Sequence, residues 1–424
     1  MTAPLPIPES DRALVDLLRR AVHGAPADPS ARELDWPGLL RRAQEHGVAA
    51  FLYPWLASQM PDLFASHASA PEDSAPSAWR ALFLRSLSQS VLRRKQLVQL
   101  FGELERAGLD VVPLKGAWLS EAVYDDPAQR TMSDLDLLVQ KNDRDAAHAC
   151  LLACGYASGQ DSLHNPYSRD QSYRHPSFPY SVELHWDFSS QMSDAVPPPD
   201  LPAIWAHTNV SSCCGKRVRL LPLEDVVALL AHHLLGHLFA LPLRAHLDLA
   251  LLLKKAGERL SLPSLQSASV RWKTGRGAPF LFRFTAGLFD LALPPELAAW
   301  AEAPDPARLA QACQAVFSLP PARARDGEQT WLRLKRASLP GRLRLAASRV
   351  FMPQAFLQLH YPCARSRAGL PLAWLLRARD VCRGRSGWTA ALLSGGAPDD
   401  GLLASAENRA ALVRWLLSKT DGPA

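Results

Sequence analysis

LDVVPLKGAWLSEAVYDDPAQRTMSDLDLLV, residues 109–139, is the stretch on which the fold of this chain turns. LDVVPL is short, branched and apolar, the mark of a buried strand. Lys115 and Gly116 follow, then a short helical stretch to Tyr124, the polar turn DDPAQR, and the strand-like run SDLDLLV. Asp134 and Asp136 are two apart in that run, so strand geometry turns both carboxylates to one face and Leu135 and Leu137 to the other. Adjacent anions repel and aspartate is disfavoured in strands, so the pair makes physical sense around a divalent cation; an exposed strand face is the plain alternative.

Working outward, a helix starting at Asn142 or Asp143 closes at Gly155, and the run SVELHWDF (181–188) alternates again. Glu183, His185 and Asp187 share one of its faces, with Val182, Leu184 and Trp186 on the other. Glu183 is the third carboxylate this reading selects, with Asp187 the substitute if the register slips by two. Upstream, residues 1–107 read as helices. Trp79, Phe83, Leu87 and Val91, then Leu97, Phe101 and Leu104, suggest one apolar stripe beside an arginine-rich face, ended by Gly108. Downstream, residues 191–222 form a proline-rich connection with a hairpin around Cys214, Gly215 and Lys216, and 223–424 return to helix.

LEDVVALLAHHLLGHLFA and LRAHLDLALLLKK are apolar on most faces and belong in a core. His233 and His237 share a helix face, but a zinc protease needs a glutamate beside the first histidine and Leu234 stands there. The pair is expected to lie near the acceptor side of a cleft, hydrogen-bonded to Arg244 or Asp248, whose own spacing of four allows an intrahelical ion pair. Segment 323–385 holds fourteen Arg or Lys against Asp326, Glu328 and Asp380. It reads as a helix packed with its arginines outward, an element at an anionic membrane surface, or an RNA contact; the lack of interleaved aromatics makes RNA the minority reading.

Composition sets the outer bounds. In 424 residues, 48% are hydrophobic and 21% charged, which excludes general disorder. A net charge of +6 is only mildly basic, well short of a histone-like or polyelectrolyte protein, and names no partner by itself. Seven cysteines, an odd number thinly spread behind a start without a basic or apolar leader, point to a reducing cytoplasm with free thiols and no disulfide partner. The apolar stretch from Val226 to Leu243 carries three histidines and a proline, which fits a buried helix better than a membrane span. The excess of Arg over Lys, with abundant Ala and Pro, fits a GC-rich bacterial genome.

In order and spacing, LKG (114–116), Arg130, the D-x-D of 134–136 and ELHW (183–186) resemble the bacterial uncharacterised nucleotidyltransferase family, within the DNA polymerase β-type superfamily. ELDWPGLLRRAQEHGVAAFL (33–52) resembles that family's helical opening, and the likeness spans most of residues 30–380. It implies an α+β fold in which a small polymerase β-like palm, residues 108–190, is embedded between N-terminal helices and a larger C-terminal helical region. It further implies that Asp134, Asp136 and Glu183 ligate Mg²⁺ or Mn²⁺ and carry catalysis. Gly116 would let backbone approach an NTP's triphosphate, and Lys115 and Arg130 would meet its oxygens; Tyr124 is a candidate to stack on its base, although an aromatic at the end of a short helix more often packs. The implied reaction moves a nucleoside monophosphate to a hydroxyl of a small molecule, glycan precursor or peptide, releasing pyrophosphate. The likeness includes the positions of His233, His237, Arg244 and Asp248, which read as a structural polar network or, alternatively, as substrate contacts. The superfamily's usual Gly-Ser or Gly-Gly loop is Lys115-Gly116 here, which leaves out a serine hydroxyl. Addition to RNA or tRNA, and a palm that binds nucleotide or a partner without turnover, stand as alternatives.

Overall fold

The structure is a computed structural model that describes residues 5–64, 74–158, 163, 168–188, 196–301, 305–319, 337–384 and 400–418. Four N-terminal helices, α1 (Glu9–His23), α2 (Trp36–Glu45), α3 (Ala49–Gln59) and α4 (Pro61–Phe64), precede the long α5 (Ala75–Arg106). Ser74 caps α5, its hydroxyl accepting from the Ser77 amide, and Pro76 occupies the first turn, where a missing amide hydrogen is harmless.

The buried face of α5 differs from the apolar stripe read in the sequence. At about 100° per residue, positions spaced by four drift about 40° at each step. The run Trp79, Phe83, Leu87, Val91 therefore walks off the core, and Val91 is 64% exposed. The face that stays on the core is Trp79, Ser86, Ser90, Arg93, Leu97, Phe101 and Leu104, with three polar residues in its middle. Ser86, Arg93 and the neighbouring buried Gln96 tie down the loops that frame the sheet. Ser86 Oγ donates to the Ala128 carbonyl at 2.6 Å, Arg93 Nη2 to Pro127 O at 2.7 Å, and Gln96 Nε2 to Tyr180 O at 2.9 Å.

After α5 the chain forms β1 (Val111–Pro113), α6 (Lys115–Ala122), β2 (Asp134–Val139), α7 (Arg144–Ala153), β3 (Ala157–Ser158), β4 (Asp170–Arg174) and β5 (Ser181–His185). The five strands make one mixed sheet in the order β1-β2-β5-β4-β3. β2 and β5 are parallel, and the other neighbours are antiparallel. This is an α+β fold with the sheet flanked by helices. One face of the sheet, Leu135, Leu137, Val139, Val182 and Leu184, packs with Leu97, Phe101 and Leu104 of α5 and Leu151 of α7 in a compact apolar core. The other face carries Asp134 and Asp136, and next to them Leu138 and Val112 join the main helical core.

That second core is continuous. It holds Leu14 and Leu18 of α1 and Leu52 of α3 together with residues of α9 (Leu223–Gly236), α10 (Leu243–Ala256), α11 (Leu262–Arg271) and α12 (Gly277–Phe289), and with Leu412 and Leu416 near the C-terminus. Between sheet and helices lie α8 (Leu201–His207) and a two-stranded hairpin of β6 (Asn209–Cys213) and β7 (Lys216–Leu220). The hairpin contributes Cys213 and Val218 to the core under the sheet. Among the described residues no helix is long and apolar enough to cross a membrane. Residues 323–336 and 385 of the basic segment lie outside the described residues, and helices at Leu339–Val350, Gln354–His360 and Leu370–Gly384 occupy much of the remainder.

Candidate active site

Parallel pairing of β2 with β5 sets Asp136 opposite Glu183 and Leu138 opposite His185. Because residues two apart share a face, the acidic pair of β2 and the Glu183/His185 pair of β5 emerge together on the side turned toward the helices. One ligand atom each from Asp136, Glu183 and His185 lies within 4.8 Å of the others. His185 Nε2 is 2.8 Å from Asp136 Oδ1 and 3.8 Å from Glu183 Oε2. An ionised carboxylate only accepts, so Nε2 carries the hydrogen in its bond to Asp136. Lys115 Nζ lies 3.2 Å from the same Oδ1. Lys115 opens α6 with φ 42°, a left-handed conformation that costs a side-chain-bearing residue about 1–2 kcal/mol. Strain of this kind persists where surrounding contacts hold it, and here the ammonium–Asp136 ion pair is one of them.

Electrostatics split the two carboxylates. Burial alone would push Asp136 up, but the Lys115 ammonium and the His185 hydrogen bond outweigh it and hold Asp136 well below the usual carboxylate range. Burial pushes Glu183 up to about 7, helped by the negative charges of Asp134 and Asp136. Asp134 sits half-buried at the start of β2, outside the converging trio but close enough to repel Glu183. His233, on α9, is half-buried and held well below the usual histidine range by burial first and by Lys115 next, so it is neutral. Its ring centroid is 4.5 Å from that of the exposed His237, edge to face.

The remaining residues singled out in the sequence form a different cluster. Arg130, 6% exposed, directs both arms of its guanidinium at Asp248 of α10: Nε to Oδ1 at 2.8 Å and Nη2 to Oδ2 at 2.7 Å. The Tyr124 hydroxyl donates to the same Oδ1 at 2.7 Å. The fork of Arg130 expected on phosphate is thus held by a protein carboxylate, and Tyr124, 4% exposed, packs, the commoner of the two roles read for it. Gly116 serves this cluster as well. A Cβ there would collide with Arg130 Nη1 and lie 3.2 Å from Met132 Cε, so the missing side chain makes room for a guanidinium where the sequence suggested room for triphosphate. Arg244 donates to the Thr131 carbonyl at 2.7 Å, and the intrahelical pair with Asp248 expected from spacing gives way to this arrangement.

Sequence reasoning placed His185 on the face of Glu183 but gave it no role. The signal was present: in E-x-H the imidazole must accompany the carboxylate. What the sequence lacked was the register, which puts His185 one residue pair beyond Asp136. Asp187, the substitute carboxylate, is drawn away by Arg169 at 3.5 Å.

Residues 32–290 match the family model described as "Uncharacterised nucleotidyltransferase", well over half of the chain. None of the curated proteins and none of the solved structures compared with the chain matches it.

Proposed function

Because the chain belongs to the uncharacterised nucleotidyltransferase family, we propose that it transfers a nucleoside monophosphate from an NTP to an acceptor hydroxyl with the aid of a divalent cation, Mg²⁺ or Mn²⁺. The observation that carries this reading is the convergence of Asp136, Glu183 and His185 from two paired strands. The donor set fits a divalent cation. It offers two carboxylates and an imidazole, and Asp136 Oδ1 already gathers two hydrogen-bond donors where positive charge is wanted. The imidazole makes Mn²⁺ at least as suitable as Mg²⁺, because nitrogen ligation favours the later metal.

Asp136, Glu183 and His185 would hold the cation, the imidazole once Nε2 has given up the hydrogen it lends to Asp136, and Asp134 on the rim would add charge that favours it. When bound, the cation would polarise phosphoryl oxygens and offset the charge growing on departing pyrophosphate. Lys115 would direct its ammonium to the phosphates, replacing the hydroxyl that a loop serine would supply. His233, held neutral by burial beside Lys115, adds no competing positive charge. In the displacement, the acceptor oxygen bonds to the α-phosphorus as the bond to the β-phosphate oxygen breaks, and the hydroxyl proton is lost to solvent.

The test is incubation of wild type, Asp134→Asn and Asp136→Asn with each α-labelled NTP, Mg²⁺ or Mn²⁺, and a host-cell extract, following label and pyrophosphate. Wild type should label one acceptor and both variants should lose that label. Equal labelling by wild type and Asp136→Asn would remove the site from the mechanism. Label in RNA would move the acceptor from a small molecule, glycan precursor or peptide to nucleic acid.

A further inference from the structure

The hairpin of β6 and β7 turns on Cys214 and Gly215, with φ 53° and 74°, between the paired residues Cys213 and Lys216. Two successive positive φ values make the tight mirror-image turn that suits right-handed strand twist, and its first position is ordinarily Asn, Asp or Gly. A cysteine there costs about 1 kcal/mol or more of backbone strain. Nothing in hairpin formation asks for it. Its consequence is specific to the side chains: successive strand residues point to opposite faces, but the left-handed Cys214 swings back, and its Sγ lies 4.0 Å from Cys213 Sγ. Both are free thiols.

The surroundings mark the pair as more than packing. Cys213 is buried in the core under the sheet and Cys214 is half-buried, while a Cβ on Gly215 would meet nothing within 4 Å, so the turn itself opens outward. Arg94 of α5 pairs with Glu121 Oε2 of α6 at 3.5 Å beside the thiols. Glu121 Oε1 is buried with no hydrogen-bond partner among the described residues. The Cys213 hydrogen bond, with Arg94 and Arg93, lowers the Cys214 thiol against the opposing effects of burial and Glu121, while Cys213 is pushed up. Among the described residues the one group of three converging metal ligands is Asp136, Glu183 and His185, so no third donor completes a structural zinc site here. The pair suits a centre that asks for two sulfurs and brings its other substituents with it.

We propose that Cys213 and Cys214 form a two-sulfur chelating site for a soft, thiophilic centre of the trivalent-arsenic type, presented by the hairpin turn. Side-chain rotation that closes the 4.0 Å gap by about half an ångström lets one pyramidal centre with bonds of about 2.3 Å bridge both sulfurs, without moving either strand. With an organoarsenic(III) oxide, both S–H bonds break, two As–S bonds form, and the oxide oxygen leaves as water with the two thiol protons; no oxidation state changes. The site is independent of the transfer reaction proposed above.

The probe is phenylarsine oxide on the folded full-length protein, read by intact mass and peptide mapping. One adduct per chain is expected on the peptide of Cys213 and Cys214, removed by a dithiol and not by excess monothiol. Cys214→Ser should retain arsenic at least about 100-fold less tightly, the loss expected when a second attachment is cut. Cys150 and Cys154, which also share a helix face, provide the control. The Cys150→Ser/Cys154→Ser variant should bind as wild type does. Undiminished binding by Cys214→Ser, loss of binding in the Cys150/Cys154 variant, or an adduct that forms only in urea would each overturn the proposal.

Discussion

Two ionic clusters lie within a few residues of one another along the same loop and strand, and they are built on opposite principles. Around Asp248, one carboxylate receives Arg130 through both arms and Tyr124 besides, and all three are nearly closed to solvent. Around Asp136, three carboxylates face one lysine and one histidine, and Glu183 is left so poorly compensated that it rises to about 7. The first cluster is complete as it stands and binds α10 to the loop ahead of β2. The second has charge to spare and a Glu183 side chain about one-third exposed, so it is where a cation and a phosphate have something to gain. Residue type alone does not separate them: Arg130 and Lys115 look like equivalent phosphate donors until their partners are known.

The contrast is broken most severely by Asp136→Asn. Transfer should fall by about 10³-fold or more, equivalent to about 4 kcal/mol of barrier, with only a modest fall in melting temperature as Lys115 and His185 lose the anion they share. A fall in melting temperature as large as the loss of activity would mean that this cluster is structural too. The mirror experiment is Asp248→Ala, which strands a buried guanidinium and should lower stability by about 3–5 kcal/mol in urea unfolding. Replacing both partners, Arg130→Met with Asp248→Leu, should restore most of that loss, since neither charge is then left alone. If the double variant still folds well but loses NTP binding, Arg130 leaves Asp248 for phosphate and the division between the clusters is mistaken.

Much of this arrangement was legible in the chain. Period-two alternation gave the acidic face of β2 and the Glu183/His185 face of β5, and the apolar run before Lys115 gave the strand that opens the sheet. Pairing was not legible. That β2 and β5 run parallel with Asp136 opposite Glu183 depends on a connection of some forty residues, and no local propensity encodes it. The partner of Arg130 was hidden for the same reason, because Asp248 is 118 residues away. The α5 stripe failed differently. Ser86, Arg93 and Gln96 occupy its buried face because loop carbonyls wait for them, so a rule that seeks apolar residues follows Leu87 and Val91 into solvent.

Gly116 sharpens the comparison at its boundary, since it follows Lys115 of one cluster and touches Arg130 of the other. Gly116→Ala should destabilise by about 1–3 kcal/mol through the forced shift of the guanidinium. The same variant made with Arg130→Met should lose most of that penalty. If triphosphate approach were the reason for this glycine, NTP affinity would fall in both backgrounds alike, and a titration with NTP decides between them.

The smallest effect separates the clusters by pH. Glu183 titrates near 7 in the folded protein and near its ordinary value of about 4.5 when unfolded, so between these values the folded state holds the extra proton. Its contribution to the stability of the metal-free protein is therefore present at low pH and is lost as pH rises through about 7. Asp136 works in the other direction and lower down: its folded carboxyl is depressed, so its contribution is lost only as pH falls below the usual carboxylate range. With the Glu183 side chain about one-third exposed, solvent screening reduces the change to the order of 1 kcal/mol. Urea midpoints at about pH 5 and about pH 8 should converge in Glu183→Gln relative to wild type. Added Mn²⁺ should remove the decline in wild type, because the cation binds the ionised carboxylate and takes over the role of the proton. An unchanged slope in Glu183→Gln would show that the second cluster is as well compensated as the first, and the reason for placing a cation there would be gone.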